Sequence, residues 1–207
     1  MMNDTAIDFL NVREAAEQRR SIRAYEPGPM PREDMEEILD VVRRAPSAFN
    51  VQPWRFVVVE TPELKEQLAA AAFNQRQVRS APAVIVLYTD MEDALANLDA
   101  VVHPGMSPEQ QESTKGTIRG IFGPQTVEER EAWGAGQGYI ALGYLLLAAE
   151  ARGYQTSPMT GFDPEKVKEL LGLPGNARIP ALVAIGHAAE EGFPQHRLPL
   201  ESLLRVA

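Results

Sequence analysis

Cysteine is absent from the chain. That absence excludes disulfides, thiolate zinc sites and cysteine nucleophiles together, and it fits a reducing, cytoplasmic setting. Histidine occurs only at His103, His187 and His196, and these form no metal pattern with one another or with nearby carboxylates. Long apolar runs are missing too. The most apolar window, Gly134 to Ala149, is too short for a membrane span and contains Gln137, so it reads as a buried helix. Met1 to Arg20 holds no apolar core behind a basic start and does not read as a signal peptide. Positive charge is the minority sign. Lys and Arg number 20 against 29 Asp and Glu, and the net −9 argues against a general nucleic-acid binder. Neither a G-x-S-x-G elbow nor a phosphate-loop lysine signature is present. If the protein is an enzyme, a bound organic cofactor is expected to carry the reaction.

What is present suits one globular domain over residues 1–207, with an excursion at about 90–125. A loose helical pattern from Ala6 ends in Arg19-Arg20-Ser21-Ile22-Arg23, three guanidinium groups within five residues, followed by a Pro-Gly-Pro turn. Such a cluster reads in two ways. Cations favour the negative end of a helix dipole, and dense positive charge against the sign of the whole molecule also suits an anion such as phosphate.

Met35, Ile38, Leu39 and Val42 then mark one face of a second helix. Pro46 and Pro53 stiffen a loop carrying Ser47, Asn50 and Gln52, which offer both donors and acceptors. Arg55 to Glu60, Ala83 to Thr89 and Ile179 to Ile185 read as buried strands. Thr61-Pro62 opens a helix to about Ala72, and Asn74 to Ser80 reads as a polar link. Asp90 to Gln125 begins helically and then becomes rich in Gly and Pro, so a mobile excursion over a site is expected. Thr126 with Glu129 forms a capping box for a long helix to Arg152, with Gly153 beyond its end. Gly134, Gly136, Gly138 and Gly143 make that helix small-sided. Each costs about 1 kcal/mol in a helix interior, so a close-lying backbone or a flat ligand is expected beside it. The spacing of these glycines, and the helix ahead of them, do not fit a dinucleotide loop. Thr156 to Phe162 reads as a loop, Glu165 to Leu171 as a helix, and Leu200 to Leu204 as a last short helix. The class is α+β, a central mixed, mostly antiparallel sheet covered by helices.

These segments, in this order, resemble the FMN-dependent nitroreductase family. The resemblance rests on Arg19-Arg20-Ser21-Ile22-Arg23, on Ala45 to Trp54, and on Asn74 to Pro82. It continues through Ala149-Glu150-Ala151-Arg152-Gly153, Gly161-Phe162-Asp163-Pro164, Leu171 to Pro174 and Arg197-Leu198-Pro199. It implies a homodimer with FMN at the interface and NAD(P)H as reductant. Arg19, Ser21, Arg23 and Arg197 would hold the phosphate and the pyrimidine edge, with Arg20 beside them. Pro46, Ser47, Ala48, Asn50 and Gln52 would come from the other subunit. Asn74 and Gln77 would lie at the flavin's polar edge, and Pro158, Met159, Thr160 and Gly161 along the isoalloxazine near N5. Phe49 would bound the acceptor pocket, roofed by the 90–125 excursion. The implied activity is ping-pong hydride transfer to a nitroaromatic, quinone or enone. A non-catalytic flavin carrier or sensor, reductive dehalogenation and flavin breakdown are the alternatives. Gln195, Gln77 and Thr160 stand where relatives carry Lys, Lys and Glu.

Overall fold

The computed structural model describes residues 9–207. The expected start of the first helix at Ala6 lies outside them. Helix α1 (Val12–Gln18) starts at an Asn11 capping box with Glu14, and Arg19 is its C-cap. The chain then runs extended, so the arginine cluster follows the helix and does not form its last turn. Next come α2 (Arg32–Val42), a 3-10 turn at Ala48–Asn50, β1 (Trp54–Val59), α3 (Pro62–Ala71), α4 (Arg76–Ser80) and β2 (Ala83–Thr89). Helices α5 (Met91–Ala96), α6 (Leu98–Val101) and α7 (Pro108–Phe122) lead to the long α8 (Val127–Ala151). The chain closes with β3 (Gln155–Met159), α9 (Pro164–Leu171), β4 (Arg178–Gly186) and a 3-10 turn at Leu200–Ser202.

The strand order is β1-β2-β4-β3, antiparallel at every pairing. Among the described residues, parallel pairing enters only as the single bridge of Ser21 to Thr156. Both central strands are buried almost throughout, because helices cover both faces, and that is why they read as continuous apolar runs. One face packs Ile85, Leu87, Val183 and Ile185 against α2 and α8. The other packs Val84, Val86, Leu182 and Ala184 against α3, α4 and α9.

Three local readings change. Gln155–Met159 is a strand and not part of a loop. It is an edge strand, where Pro158 is tolerated, and its Pro and Ser/Thr content had weakened the strand signal. Arg76–Ser80, read as a link, is a short helix. The stretch 108–122 is a fifteen-residue helix, opened by a Ser107 capping box and Pro108. Its Ile118 and Phe122 join Val51, Met91 and Leu98 in a small separate core.

The capping box at Thr126 is as expected: Glu129 N donates to its hydroxyl at 3.2 Å and Thr126 N to the Glu129 carboxylate at 2.8 Å. On the sheet side Gly134 and Gly138 of α8 meet side chains, where a close-lying backbone or a flat ligand was the expectation. A Cβ on Gly138 would stand 2.7 Å from Pro180 Cγ and 2.8 Å from Thr89 Cγ2, and one on Gly134 would meet Met91 Cγ at 2.6 Å. Gly136 and Gly143 have nothing within 4 Å. Gly138→Ala is therefore expected to destabilise by about 1–3 kcal/mol through overpacking. Gly143→Ala should stabilise the monomer by up to about 1 kcal/mol. Paired thermal melts check this; a Gly138→Ala melt at or above wild type would remove the close-packing account.

Candidate functional site

The extended segment after α1 docks on the open edge of β3. Ile22 N donates to Thr156 O at 3.1 Å, and the Tyr25 hydroxyl donates to Ala184 O at 3.0 Å. This brings Arg19, Arg20, Ser21 and Arg23 against the tail residues Phe193, Pro194, Gln195 and Arg197, around a cavity of about 180 Å³. Four arginines thus line one small space in a molecule of net charge −9.

They are not equivalent. The Nη1 of Arg20 donates to the carbonyls of Glu17, Gln18 and Arg19 at 2.7, 2.8 and 3.0 Å. It caps the C-terminus of α1, satisfying carbonyls that the helix leaves open. Arg19 Nη1, by contrast, is buried with no hydrogen-bond partner. Burial first, then the Arg197 charge, pulls the Arg19 guanidinium below its ordinary value; Glu150 opposes this and Arg20 adds to it. A buried, unpaired cationic donor is costly unless an anion completes it. Gln195 adds no cation, but its amide donates to Ala16 O and Arg19 O at 2.7 and 2.8 Å. It ties the tail to the end of α1. Glu190 accepts from Arg23 N at 2.7 Å and from Arg76 at 3.0 Å, joining the tail to α4.

At the other end of β3, Gln75 Nε2 donates to Gly161 O at 2.7 Å, and Phe73 lies beside the same glycine. Phe73 and Asn74 hold left-handed backbone, φ 53° and 58°. The Asn74 carboxamide oxygen accepts from Arg79 at 2.8 Å, which a Glu66 ion pair fixes. Gln77 is buried and donates to Gln75 at 3.0 Å, so it stands behind this loop. Between the cradle and Gly161 lie Pro158, Met159 and Thr160. From Thr156 to Gly161 the strand direction covers roughly 16 Å. Met159 turns its side chain into the core, which leaves its backbone for any ligand along this edge.

Pro46, Ser47, Ala48, Phe49, Asn50 and Gln52 are elsewhere. They precede β1, on the opposite edge of the sheet, so the fold does not bring them to the cradle of the same chain. Phe49, Asn50 and Gln52 take φ of 56°, 57° and 42°. Hydrogen bonds hold these sparsely populated conformations, which for such residues store strain of order 1–3 kcal/mol each. Gln52 N donates to the Ser47 hydroxyl at 3.0 Å, Ala48 N to Gln137 of α8 at 3.1 Å, and Asn50 Nδ2 to Val101 O of α6 at 2.8 Å. Phe49 is left 44% exposed. Glu190 and Gln75 carry no local signal in the sequence, because their partners Arg23, Arg76 and Gly161 lie far along the chain.

The Nitroreductase family model matches residues 16–187. A protein of Thermus thermophilus named NADH dehydrogenase is 53% identical over 97% of this chain and 98% of its own. The oxygen-insensitive NAD(P)H nitroreductase of Salmonella typhimurium is 31% identical over 94% of this chain and 99% of its own. Among solved structures, a nitroreductase of Exiguobacterium sibiricum in complex with FMN superposes with a TM-score of 0.86. It is 30% identical and covers 96% of this chain and 98% of its own.

The division between Arg19 and Arg20 can be measured. A charge-assisted hydrogen bond contributes about 1.5–3 kcal/mol. Arg19→Ala should therefore weaken sulfate or phosphate binding at least about tenfold with little loss of stability. Arg20→Ala should instead lower the melting temperature by about 2–4 °C, with a smaller effect on the anion. Calorimetric titration and melting of both variants read this out, and identical profiles would sink the distinction.

Proposed function

The chain belongs to the nitroreductase family, NAD(P)H-dependent flavin oxidoreductases, and from that premise we propose that it binds FMN along the open edge of β3 and works by ping-pong turnover. The observation that carries this is the cradle that Arg19, Arg20, Arg23 and Arg197 line together, with Arg19 Nη1 buried and unpaired beside it. The residues fit the group. A phosphate near −2 matches a cluster of arginines, and Arg197 and Ser21 complete the cradle. Pro158, Met159, Thr160 and Gly161 supply backbone along the ring, and Asn74 an amide at its polar edge. Bound there, FMN supplies hydride transfer from NAD(P)H to an acceptor.

The protein's part is to bind, orient and exclude water. Arg23, exposed beside Ser21, supplies positive charge to the electron-rich edge of the reduced ring and so favours reduction. Pro46, Ser47, Ala48, Asn50 and Gln52, in a loop anchored to α6 and α8 and strained at Asn50 and Gln52, would close the site from a second copy. Their place on the opposite sheet edge supports a homodimer, since one chain cannot supply both halves. So does the exposed apolar face formed by Phe9, Val12, Val41 and Tyr144. Phe49 would bound the acceptor pocket, and the 90–125 excursion, built from α5 to α7, would roof it. Among the described residues no helix is long and apolar enough to cross a membrane, and the same reading places the protein in the cytoplasm. Nitroaromatics, quinones and enones are the acceptor classes.

The purified protein should be yellow, or become so with FMN, and should oxidise NADH or NADPH in steady state with menadione or a nitroarene. A yellow dimer without turnover would favour a carrier; a colourless preparation that ignores FMN would overturn the reading. Arg23→Ala should weaken FMN retention about 10- to 100-fold and lower the flavin midpoint potential, and unchanged values for both would remove Arg23 from the site.

A further inference from the structure

Beneath the cradle lie three buried side-chain atoms without partners: Arg19 Nη1, Glu150 Oε2 and Thr156 Oγ1. They belong to one locality. Ser21 bridges to Thr156, and Leu10 N donates to Ala151 O at 3.2 Å, which holds the start of the α1 region on the last turn of α8. Thr156 pairs with Ile185, whose side chain packs with Leu145 and Ala149 of α8. The Thr156 hydroxyl therefore points to the α8 face of the sheet, the same layer as Glu150. Glu150 is only 5% exposed. A carboxylate is rarely buried without a dedicated partner, and no ion pair joins this one to an arginine among the described residues.

Resting on the proposed FMN site, we infer that Glu150 is the counter-charge of the cradle: an anion balancing Arg19 when no phosphate is bound, and the acceptor of a proton when a dianion enters. Phosphate and proton would then bind together, and the site would never hold a buried carboxylate against a dianion. The charges facing Glu150 are Arg19 and Arg20 from the segment after α1. Neutral Gln155 of β3 lies beside it, and Arg197 of the tail acts on Arg19. Arg152, on the same helix end, is turned away to Asp34 at 2.5 Å and Glu37 at 2.7 Å. Burial, the largest influence, already pushes the Glu150 carboxyl up, while Gln155, Arg19 and Arg20 hold it down. A dianion shared with Arg19 removes part of that restraint, so proton affinity rises on binding. The sign follows from linkage: where binding takes up a proton, affinity falls as pH rises. The phosphate's own second ionisation, near pH 6, acts the opposite way and is complete above about pH 7.

The test is isothermal titration of the full apo chain at and above about pH 7, in buffers of different ionisation enthalpy. FMN is one titrant and inorganic sulfate, which brings no proton of its own, the other. Wild type should take up protons with both ligands and bind FMN more weakly as pH rises. Glu150→Gln should bind with no net uptake and a flat pH profile. The wild-type profile alone gives a second reading should the variant fold poorly. FMN binding without uptake, or with equal uptake in Glu150→Gln, would overturn the inference while leaving the cofactor site intact. Sulfate binding with uptake but no FMN binding would keep the inference and remove the cofactor assignment. Binding of neither would remove both.

Discussion

The depth at which α8 lies on the sheet is the constraint on which the other parts depend. Gly134 and Gly138 let the helix descend onto Met91, Thr89 and Pro180 with no room for a methyl group. At that depth Leu145 and Ala149 reach the core and α2 packs alongside. Arg152 then meets Asp34 and Glu37, and the Tyr154 hydroxyl bonds the same Asp34. The last turn of α8 consequently arrives beside β3 and α1 together, and the cradle is assembled where those three meet. A helix held further out by side chains would leave Glu150 and Arg19 in solvent, and neither would have the character that burial confers.

Around the cradle some polar groups are committed to architecture and others are left uncommitted. Arg20 and Gln195 look like ligand groups by position, yet both are consumed by carbonyls at the end of α1. Because that work is done by neighbours, Arg19 is free of it. Like charges gathered in one cavity repel, and the cluster persists because Glu150, Glu190 and the helix end each offset part of the repulsion. In the proposed function a ligand dianion would complete what these groups leave unbalanced.

Much of this was legible in the chain. The β-branched runs of β1, β2 and β4, the Thr126 capping box and Gly153 at φ 87° beyond α8 follow from local chemistry, and each stands where the sequence puts it. Family resemblance named the cradle residues, and the fold gathers Arg19, Ser21, Arg23 and Arg197 on one cavity. What could not be read depends on distant partners. Strand β3 exists because β4 pairs with it, although Pro158 and its polar neighbours argue against a strand. Helix α7 holds because Ile118 and Phe122 find a small core, despite Gly116 and Gly120. The commitment of Arg20 to three carbonyls, and of Gln77 to Gln75, was invisible for the same reason.

The left-handed residues carry one more consequence. Among the described residues, every non-glycine with positive φ is in one of two loops: Phe49, Asn50 and Gln52, or Phe73 and Asn74. Glycine would relax each backbone at once, so these are places where the usual rule of substitution runs backwards. Selection for heat resistance alone would drift toward glycine at these five positions and would strip the loops of the side chains that recognise anything. Persistence of Phe, Asn and Gln there under thermal selection would be a direct measure of how strongly function, and not folding, holds those positions.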